Sequence, residues 1–148
     1  MPSAIEQVLT ALRTPLEAAG LNIEVDRDEA DILAGAEYPC VALSWGGSTL
    51  ELLDNCNSYL WRASVTFDCW AQVKTGQSVL AQCAAQAGTV AQVIQTEMQT
   101  SRFGGLFFDA NPVAVGDFAN LTEDTGTIAV TAEILFQTPK GDWNTILT

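Results

Sequence analysis

Between Tyr59 and Val73 the chain reads YLWRASVTFDCWAQV, fifteen residues that alternate without a slip. Tyr59, Trp61, Ala63, Val65, Phe67, Cys69, Ala71 and Val73 share one face of an extended strand. Leu60, Arg62, Ser64, Thr66, Asp68, Trp70 and Gln72 share the other. A period of two over this length excludes a helix. At about 3.3 Å per residue the segment would reach roughly 50 Å, far beyond a usual strand. A small domain cannot cover such a strand alone, so part of it is expected to project, to bend at a bulge or to pair with another chain.

The rest of the chain supplies a single domain around this strand. Its 148 residues suffice for one hydrophobic core. With 48% hydrophobic and only 16% charged residues, it is too apolar for disorder and lightly charged for a free monomer's surface. No apolar run is long enough for a membrane span, and the N-terminal stretch, with Glu6 and Glu17, does not read as a signal peptide. Eighteen acidic against six basic residues give a net charge of −12. Such a surface repels nucleic acid and anionic membrane.

Ser3 and Glu6 form a capping box ahead of Ile5, Val8, Leu9, Leu12, Leu16 and Ala19, one apolar helical face closed by Gly20. Pro15 should kink or divide that helix. Leu21, Ile23 and Val25 alternate as a short strand. Residues 26–39 form an acidic loop, Cys40 to Trp45 a buried strand, and Gly46, Gly47 and Ser48 a break. Thr49 to Leu53 is a further short strand, joined through the turn chemistry of residues 54–58 to the long strand as a hairpin. Ser78 opens a second helix to about Thr100, with Leu80, Cys83, Ala84, Ala87, Val90, Ala91, Ile94 and Met98 as its apolar stripe. A glycine-containing loop, a strand over 113–118 starting at Pro112, a turn and an alternating strand over 127–138 complete the domain. Residues 139–148 read as a flexible tail or docking peptide. The fold class is therefore α+β: a mainly antiparallel or mixed sheet with a long β-hairpin and two main helices packed on one face.

Chemistry is scarce. There is no histidine, which removes Ser-His and Cys-His dyads and histidine metal sites. Cys40, Cys56, Cys69 and Cys83, spaced by 16, 13 and 14 residues, do not resemble zinc-ligand pairs and read as free thiols. The acidic run Asp26, Asp28, Glu29, Asp31 fails the calcium-loop pattern, because Ala30 and Asp31 stand at its fifth and sixth positions. Gly46-Gly47 and Gly104-Gly105 fit no phosphate-loop spacing. Lys74 and Lys140 read as solvated, and so do the paired-carboxylate candidates Asp68 and Glu133. No catalytic, cofactor or metal residue is assigned, and the chain is not read as an enzyme. Trp70, beside Arg62 and Asp68 on the more polar strand face, reads as an exposed aromatic suited to an interface.

The order of elements resembles a known family. A leading amphipathic helix precedes a Tyr-Pro-hydrophobic strand (Tyr38, Pro39, Cys40 to Leu43), an acidic hairpin, the W-x-A-x-V-x-F-D strand from Trp61 to Asp68, and a long helix. A late loop carries a shortened D-x-x-T-G, here Asp124-Thr125-Gly126, ahead of the last alternating strand. Across residues 3 to 138 this resembles the tail terminators of long-tailed bacteriophages, the lambda-type minor tail or tail completion proteins. The resemblance implies a virion protein that forms a homohexameric ring at the head-proximal end of the tail. Such a ring caps the tail tube protein, ends polymerisation and meets the neck or head-completion protein. It also implies an acidic lumen through which DNA passes without specific binding, and no family catalytic residues. Interface candidates chosen from this chain are Glu51 and Asp54 in the hairpin and Arg62, Asp68 and Trp70 on the long strand. Two rival readings are another neck or head–tail connector subunit and a small-molecule-binding α+β module.

Overall fold

The computed structural model describes residues 3–25, 38–53, 58–73, 78–122 and 124–147, and of residues 51–53 the backbone alone. Residues 26–37 of the expected acidic loop, and Asp54, fall outside the described residues. Two helices, α1 (Ala4–Ala18) and α2 (Val79–Thr100), pack on one face of a six-stranded sheet. Its strands are β1 (Ile23–Val25), β2 (Cys40–Leu53), β3 (Ser58–Gln72), β4 (Asp109–Val115), β5 (Ala119–Asn120) and β6 (Thr125–Pro139). Their spatial order is β1-β2-β3-β6-β4, with β5 also against β6. Among the described residues only the β1–β2 pair is parallel. The protein is thus an α+β fold with a mixed, mainly antiparallel sheet.

The ends of α1 follow from local chemistry. The Ser3 side chain accepts the Glu6 amide while the Glu6 carboxylate accepts the Ser3 amide, closing the capping box. At the other end Gly20, at φ +91°, lets its own N–H reach the Glu17 carbonyl and the Leu21 N–H reach that of Leu16. Of the two outcomes expected at Pro15, a kink or a division, the helix is not divided. It sits in the last turn, where its missing donor removes one hydrogen bond and its carbonyl still accepts the Ala19 N–H. Along α2 the buried series is Val79, Cys83, Gln86, Ala87, Val90 and Ile94. Leu80, expected in the stripe, points outward at 50% exposure.

The long strand is real and spans fifteen residues, but it does not project. β6 is equally long and pairs with it throughout, from Ser58↔Pro139 to Gln72↔Thr125. β2 pairs with its other side. β2 is also continuous, where a break at the glycines was expected. Gly46 and Gly47 instead form a bulge opposite Ser64, with Gly47 at φ +103°. Gly46 lies so close to this partner that an added Cβ would stand 3.0 Å from the Ser64 carbonyl. A second bulge leaves Glu51 without a register partner between Leu50 and Leu52.

The helix-covered face holds the core. Val41 and Leu43 of β2, Ala63, Val65 and Phe67 of β3, and Val130, Ala132, Ile134 and Phe136 of β6 pack beneath Val8, Leu12, Leu16, Val90 and Ile94. The segment after Pro139, read as a flexible tail, folds back as a strap. Trp143 packs edge-on against Trp61 at 4.8 Å and its carbonyl accepts the Ala4 N–H. Ile146 is buried, and the Leu147 N–H bonds the Gln137 carbonyl. Two tryptophans thereby cover the distal end of the core face.

Candidate functional site

Among the described residues no helix packs on the opposite sheet face, and alternation places the charged and amide residues of the long strand there. Arg62 on β3 forms an ion pair with Glu133 on β6, one position diagonal to its register partner Leu135. Both side chains are 38% exposed, so the pair contributes little stability. Asp68 lies six residues along β3, opposite Ala129, or about 20 Å from Arg62 at strand spacing. Asp68 and Glu133 therefore form no carboxylate pair, and the interface candidates on β3 form no single cluster. Glu51 sits at the outer bulge of β2, near the Arg62 end.

Trp70 is not an exposed aromatic. It is 4% exposed and packs with Cys40, Ala42 and Tyr38 in a small second cluster on the sheet face opposite the two helices. Its indole nitrogen and the hydroxyl of Thr127, its cross-strand neighbour, are buried without a hydrogen-bond partner among the described residues. Burial of an unpaired donor disfavours this arrangement by a few kcal/mol at most, and close packing of the ring offsets it.

Reactive groups are held inert. Cys40, Cys69 and Cys83 are buried free thiols. Burial, and then neighbouring Cys83, Asp68 and Cys40, push the Cys69 thiol up to about 12. Burial also raises Cys83, against a lowering backbone hydrogen bond from Ala71. Neither is a thiolate nucleophile near neutral pH. Among the described residues no cluster of three or more His, Cys, Asp or Glu could hold a metal ion. No helix among them is long and apolar enough to cross a membrane.

Two clefts are lined by described residues. One, of about 280 Å³, lies at the β2 bulge between Gly46–Thr49, Arg62–Ser64 and Glu133. The other, of about 220 Å³, lies between the strap and the distal ends of β3 and β6.

The features that sequence reasoning missed are the sheet edges. Beyond Leu43, β1 no longer covers β2, whose outer half has no strand partner on that side among the described residues, with Leu50 at 47% exposure. At the far side, β4 carries Val113 and Val115, and Phe108 and Leu121 flank β4 and β5; they are exposed by 51%, 62%, 58% and 40%. Pro112 and a bulge at Val113 interrupt the β4 ladder, features that blunt an edge against strand addition while leaving its apolar side chains outward. The run FFDANPVAV held the signal, because two of its valines follow a proline at spacing two. No protein-family model and no curated protein matches this chain.

Proposed function

We propose that the chain is a structural subunit of a long-tailed bacteriophage virion, a tail terminator that closes into a ring on the end of the tail tube. The observation that carries this reading is the pair of unlike edges at opposite ends of one sheet, exposed and apolar around β4–β5 and, among the described residues, unpaired at the outer half of β2. Unlike surfaces on one subunit associate head to tail, and a head-to-tail contact that closes makes a ring. The resemblance of element order from residue 3 to 138 supports the particular ring, a homohexamer that ends tube polymerisation and presents a surface to the neck protein. A net charge of −12 supports a DNA conduit that does not grip its cargo. The chemistry of the open face is that of a contact surface, an ion pair and threonines, without a nucleophile or acid–base pair among the described residues. The test is to add the purified chain to tail tube protein polymerising in vitro. Tubes should stop short with an extra ring at one end, and an unchanged length distribution overturns the proposal.

A further inference from the structure

The strap and the distal end of the long strand build a small aromatic cage. Tyr59 and Trp61 stand 6.0 Å apart with ring planes at 80°, and Trp61 and Trp143 stand 4.8 Å apart at 75°. Successive rings are near-perpendicular, so they form walls and a corner rather than a stack. All three are half-exposed, and with Thr138 and Asp142 they line the cleft of about 220 Å³. That is below the size of pockets for drug-sized ligands and suits a single side chain.

The chemistry of the walls selects a cation. Aromatic faces are negative and attract an ammonium or guanidinium within about 6 Å. The indole N–H of Trp61 is already bonded to the Thr138 hydroxyl at 2.9 Å, which locks the ring and leaves its face as the feature on offer. Asp142 adds a carboxylate. Its two oxygens accept the Asn144 N–H and the Thr145 hydroxyl, each at 2.8 Å, which hold it below the ordinary carboxylate range and so ionised. One ammonium of this chain already lies over one of these rings, since Lys140 Nζ stands 5.6 Å from the centre of Tyr59. The chain has only six basic residues against eighteen acidic ones, so its field draws basic partners.

We propose that the Tyr59–Trp61–Trp143 cleft is a docking site for a lysine side chain of a partner protein, with Lys140 as a neighbouring cation on the Tyr59 ring in the free chain. The inference does not depend on the ring reading. The test is a titration of the full chain, ¹⁵N-labelled, with Nα-acetyl-lysine methylamide and with its uncharged norleucine analogue. Each of the four tryptophans reports through its own indole N–H signal. Trp61 and Trp143 should shift and saturate with the lysine probe at a Kd on the order of 1–10 mM, while Trp45 and Trp70 stay in place. Lys140→Met should tighten that binding several-fold by removing the resident like charge. Equal shifts with the norleucine analogue, equal shifts of all four indoles, or weaker binding by Lys140→Met overturn the proposal. Tetramethylammonium binding at least tenfold tighter than the lysine probe overturns it in favour of a small quaternary cation.

Discussion

If unlike sheet edges join copies of this chain, stripping the apolar edge should weaken association without harming the fold. The perturbation is Phe108→Ser with Val115→Ser. An aromatic side chain buries roughly 150–250 Å², and Phe108 is 58% exposed, so about 100 Å² of apolar surface is free to be covered. At about 25 cal/mol per Å² that is at most ~2.5 kcal/mol, and Val115 raises the ceiling to about 4 kcal/mol. Association recovers only part of such area, because ordering and desolvation oppose it. A loss of ~2 kcal/mol per interface is expected, a dissociation constant about 30-fold larger. Both side chains lie outside the core, so the stability change should stay within about 0.5 kcal/mol. Sedimentation velocity over a concentration series measures the first quantity and thermal unfolding the second. Unchanged self-association of the double variant refutes the edge reasoning. So does a wild-type chain that stays monomeric throughout the series, or a melting temperature that falls by about 10 °C, which would make these residues part of the fold.

Three further perturbations probe the architecture. Trp143→Ala removes the ring that rests on Trp61 and Phe136 and should cost about 2–3 kcal/mol in denaturant unfolding, less than a fully buried tryptophan because Trp143 is half-exposed. Gly126→Ala places a methyl 2.6 Å from the Phe118 ring and 2.9 Å from Val79, and should destabilise by about 1–3 kcal/mol through overpacking. The Cys69 thiol is raised from 9.0 to about 12 on folding, so its contribution is fully present below pH 9. It should decline by about 1.4 kcal/mol per pH unit from pH 9 towards 12, as the unfolded chain loses a proton that the folded chain keeps. Urea midpoints over that range, compared with Cys69→Ala, check it, and parallel pH profiles of the two proteins would contradict it.

Local chemistry was legible where one segment decides the outcome. The Ser3–Glu6 box and the Gly20 terminus need only neighbouring residues, and both form. Strict alternation identified β3 and β6 because each has one face on the core. Features set by a distant partner were not legible. Gly46-Gly47 reads as a break in isolation, yet β3 alongside turns it into a bulge. Trp70 reads as exposed from its polar neighbours, but Cys40 and Ala42 arrive from β2 to pack with it. The strap reads as a mobile tail until Trp61 and Phe136 offer Trp143 a seat. The long strand reads as too long for its domain because nothing in its own sequence announces that β6 matches it residue for residue. That match moved the candidate interface from the strand's tip to the two edges of the sheet.

The central claim is that this protein ends tail growth, and electron micrographs of virions assembled without it test that claim most directly. The account predicts tubes longer than those of complete particles and not joined to heads. Headless or headed tails of normal length would contradict it.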